Sequence, residues 1–146
     1  MMELSTKGRY ATRIMVYLAA HDSDQPVPKK AIAKAEDISP DYAEQLLIKL
    51  KAGGLVRSHR GVQGGFSLSQ PANEITVREV LEATEGPIEV APCDEDQCPK
   101  SASCVTRPVW REVEDEIRKV LDKTTIGLLA QRMREANGEG LHSFSI

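Results

Sequence analysis

The sequence predicts a mainly α fold with one small β-hairpin, organised as a winged helix-turn-helix domain and a long helix suited to dimerisation. Three observations carry this expectation. Two helix-patterned segments before Gly53 are joined by a turn of about three or four residues. A pair of β-patterned segments with glycines at its tip follows at once, and a long stretch after Thr106 repeats apolar residues at helical spacing. At 146 residues the chain is long enough for one proper core. The expected units are a DNA-binding winged helix-turn-helix over 1–87, a cysteine-bearing loop over 88–105, a dimerisation helix region over 106–130 and a tail over 131–146.

Ser5 or Thr6 can cap a first helix in which Tyr10, Ile14, Tyr17 and Leu18 share a face. The stretch HDSDQPV breaks it, Pro28 marks the next start, and KKAIAKA forms a short second helix ending near Glu36 with Ile32 inward. Ser39 is the N-cap and Pro40 the first position of a third helix, with Tyr42, Leu46, Leu47 and Leu50 on one side, until Gly53-Gly54 stop it. Leu55–His59 and Gly65–Ser69 read as strands around Arg60-Gly61-Val62-Gln63-Gly64, which makes a wing behind the helix pair. Thr76-Val-Arg-Glu79 is a capping-box sequence opening a helix that closes near Gly86-Pro87. After the loop, Thr106 is expected to cap a long helix with Val109, Trp110, Val113, Ile117, Val120 and Leu121 as its stripe, a face that calls for a partner helix. The chain then reads as a short helix and a polar tail.

Net charge is −3, but unevenly spread: residues 1–70 hold 10 Lys+Arg against 7 Asp+Glu, and residues 71–146 hold 9 against 15. A basic first half is suited to facing an anion such as double-stranded DNA. The recognition helix would offer Ser39, Tyr42, Glu44, Gln45 and Lys49, groups able to address base edges and phosphates. The wing would add Arg57, Arg60, Gly61 and Gln63, with Arg60 on a thin tip able to enter a narrow minor groove. No Ser-His-Asp or Cys-His set, phosphate loop or paired catalytic carboxylates stands out, and His21, His59 and His142 are scattered, so an enzyme is not expected. The longest apolar run, Ile14 to Ala20, is far short of a membrane span, and MMELSTKGRY has no apolar leader, which points to the cytoplasm.

All three cysteines, Cys93, Cys98 and Cys104, fall in CDEDQCPKSASC. In a reducing compartment this odd, close set reads as metal binding or redox sensing. Thiolates select zinc, copper(I) or iron–sulfur clusters, and these spacings are wider than the C-x2-C knuckles of structural zinc. A 2Fe-2S cluster takes four protein ligands, so three from this loop leave one place to be filled.

LSTKGRYAT at the start, SPDYAEQLLIKLKAGGLVRSHRGVQGGFSLS through helix and wing, the three cysteines near position 100 and the Trp110-Arg111 pair in the long helix together resemble the IscR-type family of bacterial winged-helix regulators over roughly residues 2 to 125. The resemblance implies a homodimer, through residues 106–125, that binds pseudo-palindromic operators and carries an iron–sulfur cluster on its cysteine loop. It implies that Glu44 influences operator class and that Arg60 enters the minor groove. The resembled assembly regulator has a histidine three residues after the third cysteine, where this chain has Arg107, which cannot ligate. Nitric-oxide-sensing relatives take a carboxylate from the partner's first helix, and Lys7-Gly8-Arg9 offers none. The fourth ligand is therefore open, with Asp94, Glu95 and Asp96 nearby in sequence.

Two alternatives stand beside this expectation. The tail GLHSFSI, ending at Ile146, is similar to that of the family's cysteine-metabolism repressor and implies a contact with cysteine synthase, in a cluster-free regulator that works through thiol redox or a protein partner. An iron–sulfur electron carrier is the alternative from a different class.

Overall fold

The computed structural model describes residues 3–21, 25–93 and 96–143. Helix α1 (Thr6–Ala20) opens at Ser5, whose hydroxyl accepts from the Gly8 N–H at 3.3 Å. Glu85, arriving from a later helix, accepts from the Ser5 and Gly8 N–H groups at 3.1 Å each and from the Ser5 hydroxyl. A carboxylate there complements the positive end of the helix. Ala11, Ile14, Met15 and Leu18 are buried, while Tyr10 and Tyr17 flank the stripe half-exposed. The apolar face is thus centred one position away from the tyrosines.

Helix α2 (Lys29–Glu36) and helix α3 (Pro40–Ala52) are joined by Asp37, Ile38 and Ser39. Asp37 takes a left-handed conformation (φ 55°) that turns the chain sharply, and aspartate tolerates it better than most side chains. Ser39 accepts from the Tyr42 N–H at 3.1 Å with Pro40 at the first turn, as the sequence predicts. Gly54, at φ 75°, releases the chain into β1 (Val56–His59), which pairs antiparallel with β2 (Gly65–Leu68) in the register Val56↔Leu68 to His59↔Gly65.

Two short bridges tie the elements into one body. Val27 and Phe66 exchange N–H···O bonds of 2.8 Å, so the segment ahead of α2 acts as a third strand against the wing. A β-carbon at Gly65 would sit on the Val27 carbonyl, and this close approach explains the glycine. The second bridge joins Thr76 to Thr125, at the openings of α4 (Val77–Glu85) and α6 (Ile126–Ser143). The predicted capping box at Thr76 is formed, Thr76 accepting from the Glu79 N–H at 3.2 Å and Glu79 from the Thr76 N–H at 3.1 Å.

The core lies between α1, α3, α4 and the start of α6. Ile14, Met15, Ile32, Leu46, Leu47, Leu50, Ile75, Val80 and Ile126 are sealed from solvent, with Ala130 beside them. Helix α6 runs for 18 residues and returns over α1, longer than the short helix expected. Helix α5 (Arg107–Lys123) differs from the rest, since Glu114 alone among its residues is buried. Thr106 does not cap it through its side chain: its backbone is already helical (φ −94°, ψ −30°). Among the described residues no helix is long and apolar enough to cross a membrane.

Candidate nucleic-acid interface and cysteine loop

Helix α3 buries Ala43, Leu46, Leu47 and Leu50, and leaves the opposite face open. Ser39, Glu44 and Gln45 are exposed there. Glu44 pairs with Lys29 of α2 at 3.3 Å, which offsets one acidic charge on this face. Two other predicted contact residues are half-buried. Tyr42 is half-buried, its ring edge-on to Tyr10 with centroids 6.2 Å apart. Lys49 is half-buried and donates to the Thr84 carbonyl at 3.4 Å, towards α4. Lys51, which the sequence analysis passed over, donates to the Ser58 hydroxyl at 2.6 Å and fixes the end of α3 against the wing.

On the wing, Arg57, Arg60, Gly61 and Gln63 are all exposed. Arg57 donates to the Ser69 carbonyl at 3.3 Å, and His59 pairs with the Ser67 hydroxyl at 2.8 Å across the strands. The Gly64 N–H closes the tip on the Gly61 carbonyl at 3.0 Å, and Gly61 holds φ 108°, a conformation that favours glycine. Arg60 therefore leaves from a narrow, defined turn beside α3. Lys29 lies beside Glu44 on the open face of α3, and Lys51, Arg57 and Arg60 are exposed at the end of α3 and on the wing.

The cysteine loop is built onto α5. Cys93, Cys98 and Cys104 are half-buried free thiols. Cys104 precedes the first turn of α5; its sulfur accepts from the Arg107 N–H at 3.4 Å and pairs with the Thr106 hydroxyl at 3.4 Å. The Thr106 hydroxyl, and then the Arg107 N–H, hold the Cys104 thiol below its ordinary pKa, which favours the thiolate. The other end of the loop is clamped by the polar face of α5. Glu114, 1% exposed, accepts from the Val90 N–H at 2.9 Å. Arg118 donates to the Ile88 carbonyl at 2.7 Å, and Arg111 to the Cys93 carbonyl at 3.3 Å. Both guanidiniums also lie by Glu114, at 3.4 Å and 3.8 Å. One helix thus holds the chain on both sides of the loop.

Three soft thiols, one with a lowered pKa, suit zinc or an iron–sulfur cluster in donor chemistry. Among the described residues, no three His, Cys, Asp or Glu side chains converge as a metal site, so the thiols are not gathered round one point. Asp96 is exposed, and Asp94 and Glu95 lie outside the described residues. The apolar face of α5 carries Val109, Val113, Ile117, Val120 and Leu121 along a groove of about 540 Å³, with Leu121 packed against the core. Val109 and Val120 are 49% and 53% exposed.

A helix pair with a tight turn, an open second helix and a glycine-tipped wing edged by cations define a winged-helix DNA-binding regulator of transcription. The chain belongs to the Rrf2 family of iron-dependent transcriptional regulators, whose family pattern matches residues 4–132. It is 39% identical to the protein Rrf2 of Nitratidesulfovibrio vulgaris, over 93% of this chain and 90% of that one. It is 36% identical to the HTH-type transcriptional regulator IscR of Pectobacterium atrosepticum, over 93% of this chain and 84% of that one. The solved structure of CymR, the global cysteine regulator of Bacillus subtilis, superposes with a TM-score of 0.76 at 37% identity, covering 90% of this chain and 98% of that one. These relatives are regulators rather than enzymes, and the electron-carrier alternative gives way to the family assignment.

Proposed function

We propose that the protein is a cytoplasmic homodimer that binds a pseudo-palindromic operator through α3 and the wing, with an affinity set by a 2Fe-2S cluster on Cys93, Cys98 and Cys104. The observation that carries this reading is the double use of α5. Its polar face holds the backbone that leads to Cys93, its first turn holds the Cys104 sulfur, and Val109 and Val120 on its apolar face are open to a second copy. Gathering the three thiols must move chain that α5 holds, and a shift of α5 alters the spacing of two recognition helices across a dimer. Such a shift requires that the loaded loop favour one arrangement over the other. When bound, the cluster supplies a link between the thiolates that responds to iron, oxygen or nitric oxide. The reading needs a fourth donor besides the three thiols, from outside the position of Arg107.

Anaerobic purification with iron and sulfide counting and a visible spectrum tests the cofactor, and operator affinity of the holo protein against Cys98→Ala tests its effect. A colourless, metal-free protein even after reconstitution removes the cluster; equal affinities at several unrelated promoters remove the sensing role. Arg60→Ala is expected to weaken binding across all sequences and to make the salt dependence shallower by about one phosphate contact. An unchanged salt slope in a binding titration would separate the wing tip from DNA.

The lowered pKa of Cys104 and the likeness to a cysteine regulator also support a second reading, in which the thiols respond to oxidation without a cluster. The cysteine synthase contact rests on a tail whose last residues, Phe144 to Ile146, lie outside the described residues.

A further inference from the structure

Ile48 occupies the middle of the open face of α3 and is 61% exposed. With about 100° between successive residues, Ala43, Leu46, Leu47 and Leu50 take one side of the helix, and Ile48 points almost directly away from them. It completes a stripe of Asp41, Glu44, Gln45 and Ile48, spaced i, i+3, i+4 and i+7. That is the spacing with which a helix lying in a major groove addresses base edges, as in the homeodomain recognition helix.

Three members of this stripe hydrogen-bond and the fourth cannot. A single exposed aliphatic is ordinary on a protein surface; its place at the centre of a groove-facing stripe is what gives it meaning. Among the described residues no apolar patch surrounds it: the other large exposed hydrophobics are Leu4, Val62 on the wing tip, and Val105, Val109, Trp110 and Val120 around α5. A protein partner would therefore find one methyl-rich side chain among acids and amides. The major groove displays one apolar feature of matching size, the C5-methyl group of thymine.

We propose that Ile48 is a specificity residue that reads a thymine methyl in the major groove of the operator. The proposal rests on α3 being the DNA-reading helix, as the proposed function has it. Each thymine so read contributes the burial of one methyl group, about a 4-fold gain in affinity. Ile48 supplies the discrimination that the neighbouring Gln45 and Glu44, which act by hydrogen bonding, do not give between thymine and uracil.

Selecting preferred sites from a randomised duplex library with the wild-type protein provides the probe. Each selected thymine is then replaced in turn by deoxyuridine, which removes only the methyl, and affinities are measured by fluorescence anisotropy for wild type, Ile48→Ala and Ile48→Val. At one thymine in each half-site the wild type is expected to lose about 4-fold on uracil substitution, Ile48→Ala to bind both duplexes equally, and Ile48→Val to keep part of the difference. The three proteins should melt alike, because the side chain is exposed. Absence of any methyl-sensitive thymine for the wild type, or full sensitivity retained in Ile48→Ala, overturns the assignment while leaving α3 as the reading helix. Selection of no sequence at all would overturn both.

Discussion

Replacing Glu114 with alanine is expected to cost about 2 kcal/mol of stability and to lower the unfolding midpoint by about 5 °C. The carboxylate is 1% exposed and accepts from the Val90 N–H at 2.9 Å, a hydrogen bond to a charged acceptor. Alanine leaves that donor without its partner and opens a void the size of the side chain. Arg111 and Arg118 retain 46% and 26% exposure, so water recovers much of their charge and the loss falls mainly on the clamp to the loop. Glu114→Gln separates the parts, since an amide oxygen can still accept from Val90 while the ion pairs are lost. It should lie between wild type and alanine in thermal melts followed by circular dichroism.

The same carboxylate gives the protein an acid-labile element. Hydrogen bonding from Val90 is the main cause holding its pKa below the ordinary 4.5, with Arg111 and Arg118 adding to it against the opposing effect of burial. A pKa depressed on folding contributes stability that is present above 4.5 and is lost as pH falls through the lower native value. Stability measured against pH should therefore drop below about 4.5 in the wild type, and more shallowly in Glu114→Gln. Equal slopes for the two proteins would mean that other carboxylates set the acid limit.

Nothing local in the sequence marks Glu114, which sits in the run EVEDE among acids that remain in water. Its burial comes from the chain 24 residues upstream laying a backbone N–H against it, a tertiary event that helical periodicity does not encode. Helix α3 was legible for the opposite reason. Ser39, Pro40 and the Gly53-Gly54 pair act on their own neighbours, and the capping box at Thr76 likewise needs only four consecutive residues. Side-chain direction within a well-placed helix was less accessible. Lys49 looks like a surface cation until Thr84 is brought beside it, and Ile48 is passed over when attention rests on the buried Leu46, Leu47 and Leu50. The entry of Ile126 and Ala130 into the core depends on the bridge between Thr76 and Thr125, which joins residues 49 apart in the chain. The cysteine loop was visible as three closely spaced thiols, whereas its attachment to α5 through Arg111, Arg118 and backbone carbonyls carries no sequence signature.

Aspartate at Val120 on the apolar face of α5 is expected to convert the proposed dimer to a monomer and to weaken operator binding by at least about 100-fold, the advantage gained when a second half-site is bound within one complex. Val120 is 53% exposed, so the fold of one chain has little to lose from the change. At a helix–helix interface the same carboxylate would have to leave water, a penalty of several kcal/mol. The other side of α5 is already occupied by the clamp on residues 88–93, and Glu114 is committed there. Val109 and Val120 on the apolar stripe of α5 are the exposed surface for the proposed second copy. Light scattering after size-exclusion chromatography reads the mass directly, and anisotropy titrations on full and half operators read the coupling. If Val120→Asp keeps the wild-type mass, α5 is not the dimer contact; if the mass halves while affinity for the full site is unchanged, the two recognition helices do not act together. Val109 and Val120 lie exposed on α5 while its polar face grips the cysteine loop, so a single charge at Val120 tests the proposed contact with a second copy without disturbing that grip.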